Sequence, residues 1–227
     1  MTVNDVIQLL AERGTDLNIE RYKRYGIIPQ NPLGVDATGL REVAKIIKKK
    51  HNFALELWDS GIHEVRILAT MVADPKLLTK ETANHWVKDF YSWDLCDSAC
   101  MKLFAYSDLG HELVIEWSNN NEEYIKRAAF ALIASLAIHD KKSPSNVFSN
   151  YFPVMLKNCT DKRNMVKKAV NWALRQTGKR NPELRAEALS VCNEMLALNN
   201  STANWIAKDA IRELNDFNVI ERVNKKK

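Results

Sequence analysis

The chain has 227 residues, of which 46% are hydrophobic and 27% charged, so it has enough apolar material for a packed core and is too apolar for a disordered protein. Its net charge of +5 permits an anionic partner without requiring one. No run approaches the roughly 20 apolar residues of a membrane span, and Asn4 and Asp5 interrupt the first apolar residues, where a signal peptide needs a continuous run. We therefore expect a cytoplasmic protein that does not enter a membrane.

Apolar residues recur at helical spacing from end to end, whereas the seven glycines and six prolines gather in short connections. Start and stop signals agree with this pattern, as at Asp74-Pro75, Ser143-Pro144 and Asn181-Pro182. Helices are predicted at 2–13, 16–25, 38–50, 52–59, 62–73, 80–90, 93–106, 109–118, 121–138, 144–157, 161–178, 182–198 and 201–216.

Short helices joined by tight turns cannot each bury a face in one bundle, so stacked helix pairs are favoured. A weak repeat supports the stack: the pairs Lys126-Arg127, Lys167-Lys168 and Lys208-Asp209 stand at the starts of similar apolar helices, in steps of 41 residues. Such a step lies within the period of about 40 to 47 residues of HEAT and armadillo units. We predict an all-α protein, a curved solenoid of HEAT-like or armadillo-like repeats, in a single domain over residues 1–227. The basic residues of the repeat favour a basic stripe on one face.

The segment SWDLCD at 92–97 opens a predicted helix, and Trp93 and Asp97 project from the same side because they are four residues apart. An indole beside a carboxylate suits a cationic sugar or base. The competing interpretation makes Trp93 a core residue and makes Asp94 and Asp97 acids of the first turns, favoured by the helix dipole.

In the same way, Lys168, Trp172 and Arg175 follow one helical face at i, i+4 and i+7. Two cations around an indole suit phosphate and sugar contacts, although a solvated charged face with a packed indole fits equally well. Arg127 leads an otherwise apolar helix, so its charge must reach water, an acid or an anion.

The four cysteines lie in apolar helical patterns and are predicted to be buried thiols in a reducing compartment: Cys96, Cys100, Cys159 and Cys192. Cys96 and Cys100 have no second pair at zinc spacing, so no metal site is predicted. Gly-rich phosphate loops, HExxH pairs and nucleophile elbows are absent from the sequence. The five histidines are scattered, and we interpret them as caps or surface residues.

Three stretches identify a resemblance: SWDLCD at 92–97, IKRAAFAL at 125–132 and VKKAVNWALRQTGKRNP at 166–182. Together with the opening stretch 21–47, they resemble the bacterial DNA alkylation repair family of HEAT-like-repeat alkylpurine DNA glycosylases. This resemblance implies a basic concave surface that holds duplex DNA, and hydrolytic excision of N3- and N7-alkylated purines as free bases. It implies no cofactor, and we expect a nucleoid-associated monomer.

By the same resemblance, Trp93 and Trp172 would line the deoxyribose of the lesion, and Asp97 would be the catalytic carboxylate. Arg127 and Tyr25 would contact DNA, beside the phosphate contacts expected of Lys168 and Arg175. Ser92 departs from the family pattern, since the best-known members carry a second aromatic residue there. The alternative hypothesis is a non-catalytic repeat protein that binds distorted or branched DNA.

Overall fold

Helices form wherever the apolar residues recur at helical spacing. The computed structural model describes residues 1–225, and in that range the backbone forms helices, turns and irregular connections without a strand, which confirms the all-α prediction. The α-helices are α1 Val3–Ala11, α2 Asp16–Arg24, α3 Ala37–Ile47, α4 His51–Asp59, α5 His63–Val72, α6 Lys80–Lys88, α7 Trp93–Lys102, α8 Gly110–Ser118, α9 Glu123–His139, α10 Ser145–Ser149, α11 Tyr151–Asn158, α12 Asn164–Gly178, α13 Pro182–Ala197, α14 Ser201–Leu214 and α15 Phe217–Asn224. Two 3₁₀ turns, Pro75–Leu77 and Phe104–Tyr106, lie in the first half.

Two of the predicted helices are interrupted in the structure. The predicted helix at 144–157 is two helices, α10 and α11, separated at Asn150. Pro153 accounts for this break: it has no N–H to donate to the carbonyl of Ser149, and its ring clashes with that carbonyl in a continuous helix. The predicted helix at 93–106 ends at Lys102 and passes into the 3₁₀ turn.

The last helix, α15, was not predicted. The sequence predicts that the preceding helix continues to residue 216, but α14 ends at Leu214. Asp216 instead caps α15, and its carboxylate accepts hydrogen bonds from the backbone N–H groups of Asn218 (2.9 Å) and Val219 (3.3 Å). Val219 and Val223 then form the buried side of this helix.

Contacts divide the chain into two compact units, Met1–Leu109 and Gly110–Lys227. In the first unit, α5 is central and packs against α3, α4 and α7. The buried rings of Trp58 and Trp86 stack with their centroids 4.1 Å apart. The consequence for function is that α5 and α7 lie side by side, so that residues distant in sequence meet at their adjacent surfaces.

In the second unit, α9 packs against α8 and α12, and α12 packs against α14. Positions 127, 168 and 209 therefore stand on successive packed helices, as the repeat spacing predicts. The basic residues of these three units differ in exposure: Arg127 is only 5% exposed, whereas Lys168 and Lys208 are exposed. Asp209, next to Lys208, pairs with Arg175.

The thiols of all four cysteines are free and buried, as predicted. Within residues 1–225, no helix is both long and apolar enough to cross a membrane.

Candidate active site

The first turns of α7 carry the predicted indole and carboxylate. Ser92 is extended, with φ −138° and ψ 152°, and the helix begins at Trp93. The Trp93 indole Nε1 donates a 2.9 Å hydrogen bond to the carbonyl oxygen of Tyr25, the residue that follows α2. This bond holds the half-buried indole in one position against the N-terminal segment.

Trp93 and Asp97 line one cavity of about 310 Å³ in the first unit. Asp36, Asp94 and Lys102 also line it, and most of the remaining wall is apolar. Asp36 caps α3 by accepting hydrogen bonds from the backbone of residues 38 and 39. Three carboxylates against one lysine, in a partly apolar wall, favour a cationic ligand over an anionic one.

Asp94 is anchored from the neighbouring helix α5 by a histidine. The Oδ2 atom of Asp94 lies 2.9 Å from Nε2 of His63, and Nδ1 of His63 lies 2.8 Å from the hydroxyl of Tyr91. Since an ionised carboxylate only accepts hydrogen bonds, Nε2 of His63 is protonated and donates to Asp94 Oδ2. His63 has no exposed surface, so this chain of hydrogen bonds fixes Asp94 at the cavity wall.

Asp94 stays ionised in this setting. Burial alone raises the pKa of its carboxyl, but the hydrogen bond and charge of His63 outweigh burial and hold the pKa below its ordinary value. Burial and the charge of Asp94 raise the pKa of Tyr91 to about 12, so its hydroxyl remains a donor.

A second buried carboxylate holds the N-terminal segment beside the cavity. Glu64 has no exposed surface, and its Oε1 accepts from the Tyr22 hydroxyl at 3.0 Å and the Gly34 N–H at 2.7 Å. Burial, followed by the charge of Glu64, raises the pKa of Tyr22, which therefore stays protonated. Gly34 has φ +72°, and a Cβ there would approach the Thr15 carbonyl oxygen to 2.5 Å, so this turn requires glycine.

Tyr25 presents its side chain to solvent, with 66% of its surface exposed, while its carbonyl holds the Trp93 indole. The Tyr25 side chain is therefore accessible for its predicted contact with DNA. Its position next to Trp93 is a feature that the sequence did not indicate.

The predicted DNA-contacting residues of the second unit have different surroundings. Arg127 of α9 is nearly buried, and its Nη1 donates to the Met165 carbonyl at 2.8 Å, at the start of α12. Arg175 of α12 forms ion pairs with Asp209 (3.7 Å) and Glu213 of α14. Both arginines therefore also join neighbouring helices, which is a stabilising role that the sequence pattern left open.

Lys168 and Trp172 form the more accessible part of the same face of α12. Lys168 is exposed, and Trp172 is half-buried. With its amide oxygen turned towards the indole, Gln176 accepts from Trp172 Nε1 at 3.2 Å and from Lys179 Nζ at 3.1 Å. This network orients the indole while leaving part of it uncovered.

Sequence reasoning missed three residues of the first-unit cavity and its support: His63, Glu64 and the role of Asp94. Asp94 is an acid of the first turn of α7, as one interpretation of the sequence predicts. The prediction that the histidines are caps or surface residues is wrong for His63, which is buried and pairs with Asp94. The sequence did contain a signal: α5 is mostly apolar but begins with His63 and Glu64. Ionisable residues buried in such a helix need polar partners, so this pair points to a hydrogen-bonded site. Among residues 1–225, no three His, Cys, Asp or Glu side chains are arranged to hold a metal ion.

Comparison with known proteins agrees with this architecture. The family model described as "DNA alkylation repair enzyme" matches residues 6–214. No curated protein matches the chain. A solved structure described as "A new family of proteins related to the HEAT-like repeat DNA glycosylases with affinity for branched DNA structures" has a TM-score of 0.79 and 19% identity, covering 100% of this chain and 98% of that chain. The likeness confirms the predicted HEAT-like-repeat fold.

Proposed function

Because the chain belongs to the DNA alkylation repair enzyme family, we propose that it is a DNA glycosylase that excises N3- and N7-alkylated purines from duplex DNA. The observation that carries this proposal is the shared cavity of Trp93, Asp94 and Asp97. An indole and two carboxylates on one wall match the charge that develops during base excision.

The chemistry needs few protein groups, since an N3- or N7-alkylated purine is already a cation and leaves as a neutral base without being protonated. As the bond from C1′ to the purine breaks, positive charge develops on the deoxyribose. The Asp97 carboxylate stabilises that charge electrostatically, and water adds to C1′. The Trp93 ring adds cation–π stabilisation of about 0.5 to 2 kcal/mol.

On this proposal, Trp172 is a second aromatic contact to the sugar, and Lys168, Arg175, Arg127 and Tyr25 are contacts to DNA. Lys168 and Tyr25 are favoured for direct contact because both are exposed. Arg127 and Arg175 would act partly through the helix packing that they stabilise. The protein would act as a monomer on alkylated duplex DNA in the nucleoid, without a cofactor.

Release of 7-methylguanine from methylated duplex DNA is the direct test. We expect release by the wild-type protein and a loss of about a hundredfold or more in Asp97→Asn, comparable to removing one electrostatic stabiliser from an active site. DNA affinity of the variant should be unchanged. No release by the wild-type protein at micromolar concentration would refute the proposal.

A second candidate function is binding of branched DNA without catalysis. It is favoured by the similar solved structure, whose description gives affinity for branched DNA structures. This function predicts salt-sensitive binding to a four-way junction that survives Asp97→Asn and weakens with Lys168→Ala. Equal affinity for a junction and for a linear duplex of the same length would count against it.

A further inference from the structure

The second unit contains a cavity of about 490 Å³ whose wall is positively charged. Residues at the ends of α9 and α12 and along α15 line it. No described residue of the wall is acidic, and its charged residues are Lys141, Lys179, Arg222 and Lys225. The cavity of the first unit has the opposite character, with three carboxylates against one lysine. The two cavities therefore suit ligands of opposite charge.

Two of the four cations are paired with acids that stand beside the cavity. The Lys179 ammonium pairs with the Glu213 carboxylate, and Lys225 Nζ lies 3.9 Å from the Glu221 carboxylate. The other two cations form no ion pair with any residue in the range 1–225. The wall thus keeps two positive charges that can attract an anion.

Arg222 and Lys141 are these two cations, and both are exposed. Arg222 donates through Nε to the Asn218 carbonyl at 3.1 Å, and its two Nη groups donate to no described residue. A guanidinium with both Nη groups available can hold two oxygens of one phosphate. Lys141 follows α9, but the Ala137 carbonyl at that helix end already accepts from Arg180 at 3.0 Å. Lys141 is therefore not required to neutralise the helix end.

The remaining wall of the cavity is largely apolar. Ile138 of α9 contributes to it, together with Val219 and Val223 of α15. Apolar side chains suit the flat face of a ring better than a hydrated ion, and the volume lies within the roughly 300 to 1,000 Å³ of small-molecule sites. A ligand that fits both parts of the wall carries a phosphate and a ring, as a nucleotide does.

The cavity adjoins the predicted DNA-contact face of α12. Gln176 and Lys179 follow Trp172 by four and seven residues, so they lie on the same side of the helix. With its amide oxygen turned towards the indole, Gln176 accepts from Trp172 Nε1 at 3.2 Å and from Lys179 Nζ at 3.1 Å. A hydrogen-bonded connection therefore runs from the predicted DNA contact to the wall of the cavity.

We propose that this cavity binds the phosphorylated terminal nucleotide of a DNA strand, with the phosphate on Lys141 and Arg222 and the base against the apolar wall. A terminal phosphate monoester carries about −1.5 to −2 charges at neutral pH, against about one for a backbone phosphate, and so matches two unpaired cations. A strand end can enter a cavity, whereas the backbone of a continuous duplex lies along a surface. This inference rests on the proposed DNA binding, which both candidate functions share, and not on base excision.

The test measures the affinity of the protein for three lesion-free DNA hairpins by fluorescence anisotropy, with the dye in the loop. The hairpins have one sequence and differ only at their open end, which carries hydroxyls, a 5′-phosphate or a 3′-phosphate. We expect a phosphorylated hairpin to bind about tenfold tighter than the hydroxyl hairpin, as for one hydrogen bond between charged groups. Equal affinity for all three hairpins would overturn the proposal.

Two cavity variants and one matched control locate the effect. Lys141→Met and Arg222→Met each remove an exposed charge from the cavity wall, and Lys142→Met removes the exposed charge of the next residue, which does not line the cavity. Because each variant loses one charge, a general field effect weakens binding of all hairpins alike. We expect the preference for the phosphorylated end to be lost in the two cavity variants and kept in Lys142→Met. A preference kept in both cavity variants, or lost equally in the control, would overturn the proposal.

A competition experiment separates a strand end from a free nucleotide. Deoxyadenosine monophosphate at micromolar concentration should leave the phosphorylated hairpin bound, because the duplex adds the contacts of the α12 face. Displacement at that concentration would assign the cavity to free nucleotides and overturn the strand-end proposal. Failure of the wild-type protein to bind any hairpin would instead refute DNA binding itself, and both candidate functions with it.

Discussion

Each unit of the protein contains a hydrogen-bond network of a tyrosine, a histidine and an aspartate, and the two networks have different surroundings. In the first unit, Tyr91 and Asp94 flank His63, which has no exposed side-chain surface. In the second unit, Tyr151 and Asp140 flank His111, whose side chain is 36% exposed. In both, the histidine Nδ1 faces the tyrosine and Nε2 faces the aspartate.

The difference lies in what the second carboxylate oxygen does. Asp140 Oδ1 accepts from the backbone N–H groups of Lys142 (2.9 Å) and Ser143 (3.0 Å), so this carboxylate stabilises the connection after α9. The Asp94 carboxyl, by contrast, lies near the Ser92 hydroxyl and the Leu95 backbone, but its Oδ1 makes no hydrogen bond of good geometry, and the residue lines a cavity. The same three residue types therefore support a connection between helices in one unit and hold a carboxylate at a cavity wall in the other.

Replacing His63 or His111 should produce the largest effects on stability, and the two losses should differ because the two hydrogen-bond networks differ in burial. His63→Ala leaves the ionised Asp94 without its buried partner, so we expect a loss of roughly 3 to 5 kcal/mol in the free energy of unfolding. His111→Ala should cost about 1 to 3 kcal/mol, because its half-exposed site lets water replace the lost hydrogen bonds. Urea denaturation of both variants measures the two losses in the free energy of unfolding. Equal losses would contradict the prediction that the more buried network contributes more to stability.

The pH dependence of stability should reveal the structural role of Asp140. Burial raises the pKa of its carboxyl, but the hydrogen bonds from Ser143 and His111 outweigh burial and lower the pKa below its ordinary value of 3.8. A lowered native pKa contributes stability that is present above pH 3.8 and is lost as the pH falls through the native pKa.

Asp140→Asn should therefore destabilise the protein by about 1 to 3 kcal/mol at neutral pH. The difference from wild type should shrink as the solution is acidified below the ordinary pKa. Urea denaturation of both proteins at neutral and acidic pH measures this difference in the free energy of unfolding. A difference that stays constant with pH would contradict the structural role of the ionised Asp140.

The smallest expected effects concern the cations of α12. Lys168→Met removes an exposed charge, so the slope of log affinity for duplex DNA against log salt should fall by about 0.9. Arg175→Met should change that slope less, because Arg175 is paired with Asp209 and Glu213. Fluorescence anisotropy over a range of salt concentrations tests this, and a larger change for Arg175 would reverse the ranking.

Much of the fold could be predicted from the sequence because helical periodicity is a local signal. The exceptions also have local causes. Pro153 divides one predicted helix, and Asp216 caps a last short helix in a polar part of the sequence where no helix was predicted. The packing of α9, α12 and α14 followed from the repeated spacing of 41 residues.

The candidate site could be predicted only in part. Trp93 and Asp97 were identified because they lie one turn apart on a single helix. His63 approaches Asp94 from a helix that begins 30 residues earlier, and no spacing within either helix predicts that contact. The ion pairs of Arg175 were missed for the same reason, since Asp209 and Glu213 belong to the next helix pair.

The central claim is that the cavity of Trp93 and Asp97 stabilises a sugar cation. Affinity for a duplex containing one cationic pyrrolidine analogue of deoxyribose, compared with a neutral abasic analogue, tests it directly. We predict that the wild-type protein prefers the cationic analogue by about a hundredfold or more, the lower end for transition-state analogues, and that Asp97→Asn loses most of this preference. Equal affinity for the two duplexes, or a preference that Asp97→Asn retains in full, would contradict the account.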